Sequence, residues 1–173
     1  MPDLETTRLT VTPFTPALAR VALTSRARLG HALGMRVPAD WLRDDEEILP
    51  LLVEMMQADP ANGAYECWGW WLILHRAERT LIGEVSFRES PDATGTMEIG
   101  YGVVPAYQGH GYATEAVGAV LDWALRQPGV VRVVACCLRD NLASRRVLEK
   151  LDMRQVGTDG ALLVWERRRR DAR

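Results

Sequence analysis

In EIGYG, Glu98, Gly100 and Gly102 fall on one face of an extended chain, because side chains alternate with a period of two. A few residues on, the chain reads Gln108-Gly109-His110-Gly111-Tyr112-Ala113-Thr114. Each part suggests chemistry. A carboxylate in a partly dry site can take a proton from an amine, directly or through water. Glycines between a strand and a helix permit positive φ and leave the backbone bare. The first N–H groups of a helix lack helical partners and carry partial positive charge, so they suit an anion such as phosphate. No lysine follows as in a Walker A loop, which argues against nucleoside triphosphate hydrolysis, and the GxGxA spacing misses the dinucleotide fingerprint. Alone, the glycines could form a plain turn. Glycines inside the preceding strand cost stability and mark a bulge or a ligand against the backbone. Together the two segments describe a ligand whose phosphates sit at the turn and whose reactive end lies near Glu98.

The elements that must hold these residues can be read in order. RLTVTP (Arg8 to Pro13) alternates as a first strand, and Pro16 opens a helix to about Arg28. A second helix is expected from Pro38 and Asp40 through Trp41, Ile48, Leu52 and Met55, kinked or split at Pro50, and ADPANG (Ala58 to Gly63) stops it. CWGWWLIL (Cys67 to Leu74) and TLIGEVSF (Thr80 to Phe87) form an antiparallel hairpin, and Thr96 to Val104 is a further strand. Ala113, Ala116, Val117, Val120, Leu121 and Ala124 mark one face of a helix that ends at Pro128 and Gly129. The apolar run from Val130 to Leu138 reads as a strand buried on both faces. Strand, helix and strand from Thr96 to Leu138 then make a parallel βαβ unit. Asp140 and Asn141 open a helix, and a hairpin turning at Thr158 to Gly160 closes the chain. The class is α+β: a mixed, mostly antiparallel central sheet with flanking helices and one parallel βαβ unit carrying the ligand site.

The 173 residues fit one domain spanning 1–173. A net charge of -2 offers no global attraction to nucleic acid or anionic membrane. Arg167 to Arg170 read as a solvated tail. No apolar run is long enough for a membrane span, and no signal peptide is evident, so no membrane partner is expected. Cys67, Cys136 and Cys137 make neither a disulfide framework nor a zinc spacing, and the two adjacent ones read as core. His31, His75 and His110 are scattered, so no metal is expected. A reducing, cytoplasmic setting follows.

These motifs resemble the GNAT superfamily of N-acetyltransferases. Gln108 to Ala113 is similar to its Q/R-x-x-G-x-G/A signature for acetyl-CoA. Asn141-Leu142-Ala143-Ser144, with Glu149-Lys150-Leu151, resembles the N-x-x-S…EKL segment of its next helix. TTRL, IGEVSF, EIGY and GYATEA look most like the branch of ribosomal-protein N-terminal acetyltransferases, and the order of elements agrees over nearly the whole chain. The resemblance implies acetyl transfer from acetyl-CoA to a primary amine, on a small molecule or a protein N-terminus, and it is compatible with a homodimer. A non-catalytic acyl-CoA-binding module on the same fold is the alternative.

It also implies roles. Glu98 would be the general base, with Glu84 and Glu115 behind it. A backbone N–H at a bulge around Gly102 and Val103 would face the thioester oxygen. The strand to Val104 would pair with the pantetheine amides, and Gln108 to Thr114, including His110 and Tyr112, would hold the pyrophosphate. Asn141 would contact pantetheine while capping its helix. Many members place a tyrosine where this chain has Leu148. The serine proposed in the ribosomal-protein branch matches Ser144, which reads as an orienter of the leaving thiolate before an acid. Asp152 and Met153 stand where Gly and Phe are common. Trp41, Trp68, Trp70 and Trp71 would line the acceptor groove or belong to the core, and Asp44, Asp45, Glu46 and Glu47 form a solvated face or attract a cation.

Overall fold

The computed structural model describes residues 2–42, 49–50, 53–54 and 69–169. Half of the helix expected from Pro38 to Met55 lies outside the described residues, as do Asp44 to Glu47, Cys67 and Trp68; its expected start is not helical, since Ala39 to Leu42 form a turn with Leu42 at φ 52.

The chain forms β1 (Leu4–Glu5), β2 (Leu9–Pro13), α1 (Pro16–Thr24), α2 (Arg26–Leu33), β3 (Trp70–His75), β4 (Thr80–Phe87), β5 (Thr96–Val103), α3 (Tyr112–Arg126), β6 (Arg132–Leu138), α4 (Leu142–Lys150), β7 (Arg154–Asp159) and β8 (Leu162–Arg168). The described strands make one sheet in the order β1-β2-β3-β4-β5-β6-β8-β7. All neighbours are antiparallel except β5 and β6, which run parallel as the βαβ pattern predicts. This is the mixed α+β sheet read from the sequence.

The helix expected from Pro16 to Arg28 is two helices. Ser25 adopts an extended backbone (φ -173, ψ 135), and its hydroxyl caps α2 by accepting from the Ala27 N–H at 3.1 Å. A serine that competes for the backbone in this way favours a cap over a helix interior.

α3 packs its apolar stripe on the sheet: Ala116, Val117, Val120, Leu121 and Ala124 are fully buried. Each large member contributes roughly 1.5–3 kcal/mol of transfer free energy. Trp71 of β3 meets Trp123 of α3 edge-on at 5.0 Å. On the other sheet face Phe14 and Trp41 pack edge-on at 6.1 Å, so two of the tryptophans, Trp41 and Trp71, are core.

β6 is not buried on both faces. Val133, Ala135 and Cys137 are buried while Arg132, Val134 and Cys136 are half-buried, so Cys136 is only partly core. The helices α3 and α4 contact β6, and helices on one face leave the alternate positions partly open.

The arginine run is not a tail among the described residues. Arg167 and Arg168 belong to β8, Arg167 pairs with Asp122 at 2.9 Å, and Arg169 donates to the carbonyls of Leu125 and Gln127 at the end of α3. Asp152 has φ 56, a left-handed turn that explains the glycine common at this position in the resembling family.

Candidate active site

β5 positions the site. It pairs with β4 from Phe87↔Ile99 to Gly83↔Val103 without a register shift. The bulge expected around Gly102 is therefore absent from this ladder; the irregularity nearby lies between β3 and β4 at Ile73/Leu74. The Arg88 N–H donates to the Glu98 carbonyl and the Val104 N–H to the Ile82 carbonyl. Antiparallel pairs alternate, so Glu98, Gly100, Gly102 and Val104 direct their backbone groups to β4. Tyr101 and Val103 direct theirs away from it. On that side β6 pairs only with Thr96, Met97 and Glu98. Beyond Glu98 the edge of β5 is open among the described residues.

The open edge leads to the glycines. A 3-10 turn (Pro105–Tyr107) carries the chain over, and the Gln108 amide donates to the Val103 carbonyl at 2.8 Å. Gly109 and Gly111 have φ 78 and 80, and a Cβ on Gly109 would meet nothing within 4 Å. Gly109 is thus required by backbone conformation, not by space. Gly111 caps α3 with no side chain in the way of the first N–H groups. Arg8 ties this turn down: it donates to the His110 carbonyl at 3.0 Å, stacks 4.3 Å over the Tyr112 ring, and pairs with Glu115 at 2.7 Å.

A cleft of about 370 Å³ runs from the β5 edge to α3 and α4. Of the residues singled out in the sequence, Gly102, Val103, Gln108, Gly109, Gly111, Tyr112, Ala113, Thr114, Asn141 and Ser144 line it. His110 and Val104 instead line an adjacent cavity on the far side of Tyr107 and Tyr112, with Arg36 and Glu78. Glu98 lines neither. Among the other cleft residues, Tyr101, Tyr107, Arg146 and Lys150 bring polar groups to which the sequence assigned no role. The i, i+4 spacing of Arg146 and Lys150, on the helix that begins at Asn141, was a usable signal for the two cations.

The Asn141 side chain accepts from the Ser144 N–H at 3.0 Å, as a helix cap. Ser144 Oγ lies 2.7 Å from the Tyr101 phenol. Burial pushes the Tyr101 phenol up to about 12, against the opposing hydrogen bond with Ser144. Leu148 is wholly buried.

The opposite face of the sheet carries Glu98 on β5 and Glu84 on β4. Glu98 pairs with Arg88 at 3.2 Å and remains about one-third exposed. Glu84, across from Gly102 on β4, accepts from the Trp41 indole at 3.0 Å. Its Oε1 occupies the space a side chain at residue 102 would need: a Cβ on Gly102 would stand 2.2 Å from it. Roughly 13 Å of strand separates Glu98 from Gly102, at about 3.3 Å per residue. Glu115 is a structural clamp. It accepts from Thr6 Oγ1, the Arg8 N–H and Arg8 Nε. Partial burial works to raise its carboxyl, but these bonds outweigh it and hold the group below the ordinary carboxylate value. Among the described residues no three of His, Cys, Asp and Glu gather in a metal-binding group, and no helix is long and apolar enough to cross a membrane.

An open strand edge, a glycine cradle at a helix start and a parallel βαβ unit are the arrangement that the sequence resemblance implies for an acyl-CoA-dependent transferase. Residues 8–154 match the acetyltransferase (GNAT) domain, and the chain belongs to that family. It is an acetyl-CoA-dependent N-acetyltransferase. It is similar to an uncharacterized N-acetyltransferase, YjdG, of Bacillus subtilis (strain 168), at 29% identity over 149 residues, 86% of this chain and 87% of the relative. Among solved structures it superposes on a putative GNAT-family acetyltransferase from Bordetella pertussis with a TM-score of 0.66 at 27% identity, covering 96% and 99% of the two chains. A structure of RimL, a ribosomal L7/L12 alpha-N-protein acetyltransferase, in complex with coenzyme A shares the fold with a TM-score of 0.66 at 20% identity, over 96% and 98%.

Proposed function

We propose that residues 1–173 form a single cytoplasmic acetyltransferase domain. It transfers an acetyl group from acetyl-CoA to a primary amine, on a protein N-terminus or a small molecule, by direct attack on the thioester. One observation carries this reading: the open edge of β5 at Tyr101 and Val103 runs into the glycine cradle at Gly109 and Gly111. The cleft fits the cosubstrate. The edge N–H and C=O groups would pair with the pantetheine amides, with Asn141 beside them. Gln108 to Thr114 would hold the pyrophosphate, and Arg146 and Lys150 add positive charge along the same wall. His110 contributes through its backbone, since its side chain turns back on the Gln108 carbonyl at 2.7 Å.

The acceptor reaches the thioester from the carboxylate face. An α-amino group has a pKa near 8 and a lysine near 10.4, so the attacking nitrogen must first lose a proton. Glu98 takes it, through water, while Arg88 fixes the carboxylate. The edge N–H groups of Tyr101 and Val103, not that of Gly102, are aimed to stabilise the developing oxyanion, as preorganised donors do. The sulfur leaves toward Ser144. A second reading gives the proton to Glu84, and the contact of its Oε1 with Gly102 at the cleft wall favours it.

The test is calorimetry with CoA and acetyl-CoA, followed by CoA release across a panel of peptides and small amines. Glu98→Gln should bind acetyl-CoA as the wild type does and lose at least about 100-fold in turnover, the usual scale of general-base catalysis. Full activity in Glu98→Gln with loss in Glu84→Gln would transfer the role to Glu84. Failure of wild type to bind CoA would overturn the assignment of the cleft.

A further inference from the structure

Tyr101 has no side-chain part in the scheme above, yet its phenol is the group that Ser144 meets. The ring leaves β5 on the face of Met97 and Ile99, opposite Glu98. It crosses to the first turn of α4 and brings its oxygen 2.7 Å from Ser144 Oγ and 3.3 Å from the Ser144 carbonyl. Both residues line the cleft. Leu148, the position on α4 where many family members place a tyrosine, is sealed in the core and offers no polar group. The strand supplies a phenol from the opposite wall.

We infer that Tyr101 is a positioning residue for the leaving group: its O–H donates to Ser144 Oγ and so turns the serine proton into the cleft, toward the CoA sulfur. This rests on the reading that the cleft holds CoA. A serine in the first turn of a helix otherwise spends its proton on nearby backbone. A hydroxyl that already accepts a hydrogen bond is also polarised into a stronger donor. In the transfer step the amine nitrogen forms the new C–N bond and its proton goes to the carboxylate on the far face. The C–S bond breaks with its electron pair on sulfur. The thiolate leaves under the Ser144 hydrogen bond, and no proton passes from Tyr101 to sulfur. The phenol, pushed by burial to about 12, keeps its proton far above the range near 8.5 where a thiol loses its own.

The effect is readable without knowing the amine acceptor. CoA and desulfo-CoA are titrated calorimetrically into wild type, Tyr101→Phe and Ser144→Ala from about pH 6 to about pH 9.5, spanning the usual thiol range. If the bound thiolate is stabilised, the bound thiol titrates below the free one, and the affinity ratio of CoA to desulfo-CoA climbs as pH rises between the two values. Arg146 and Lys150, the charged side chains lining the cleft, act on both ligands through the same phosphates and cancel in the ratio. Glu98 on β5 and Cys136 and Cys137 on β6 are unchanged in all three proteins. The expected rise in wild type is about 10-fold, one pKa unit. Both variants should be flat, with affinities at the low-pH end close to wild type, which verifies that the cleft is intact. A Tyr101→Phe protein that keeps the wild-type rise overturns the inference, and so does a flat wild-type profile. Wild type that binds neither ligand overturns the CoA assignment of the cleft itself.

Discussion

Replacing Glu115 by Gln tests whether the N-terminal TTRL segment is tied to α3 by charge. The carboxylate accepts Thr6 Oγ1 at 2.6 Å and the Arg8 N–H at 2.7 Å on one oxygen, and Arg8 Nε at 2.7 Å on the other. Gln keeps the shape and can retain the first two bonds through its carbonyl. Its NH₂ then faces the guanidinium, donor against donor. The lost bond is charge-assisted, worth roughly 1.5–3 kcal/mol when shielded. The Arg8 side chain is 41% exposed, against 16% for Glu115, so solvent screening brings the expected cost down to about 1–2 kcal/mol. Ala in place of Glu115 also strands the Arg8 N–H, while the Thr6 hydroxyl keeps the Leu9 carbonyl as acceptor at 3.1 Å, and the cost should rise to about 3 kcal/mol. The folded carboxyl lies below its ordinary value of 4.5. Its stabilisation is therefore complete above that value and is lost as pH falls through the folded one. Urea unfolding at pH 7 and at about pH 4 or below measures both effects: the gap between wild type and Glu115→Gln should narrow in acid. A gap under about 0.5 kcal/mol at pH 7, or one that does not shrink with pH, would refute the charge clamp.

Gly109→Ala isolates conformation from space, since φ is 78 and the new methyl meets nothing; it should cost about 1–2 kcal/mol of stability, and calorimetry should find CoA binding weakened. Gly102→Ala must push on Glu84 Oε1 from 2.2 Å while Trp41 holds the other oxygen. Its cost, about 1–3 kcal/mol, should largely vanish in a Glu84→Ala background, and an unchanged cost in that double mutant would show that the contact is not the cause. Arg8→Met should weaken CoA binding several-fold by freeing the His110 carbonyl while leaving turnover of the bound enzyme nearly unchanged; an equal fall in turnover would place Arg8 in the chemistry instead.

Local rules carried much of this site. Period-two glycines in EIGYG, a glycine pair before a clean helical stripe, and a strand-helix-strand order were enough to outline the cleft. What they could not reach was pairing at a distance. Tyr101 meets Ser144 across 43 positions, and Arg8 meets Glu115 across 107. No spacing rule links such residues; only the sheet order brings them together. The bulge anticipated at Gly102 failed for a related reason, because glycine in a strand signals close approach as well as irregularity, and here the approaching group is the Glu84 carboxylate. The break at Ser25 was legible in principle, since a serine before a helical run is a cap signal, but the apolar spacing on either side masked it.

Three residue pairs join β5 to β6 before the strands part, and that short seam makes the sheet two halves meeting along an incomplete hem. A pantetheine arm lying along Tyr101 and Val103, as proposed above, would be the missing stitch. Cosubstrate would then be part of the fold's own cohesion: at a concentration 100 times its dissociation constant it adds about 2.7 kcal/mol. The protein's lifetime would track the supply of its acyl donor, whatever amine it serves.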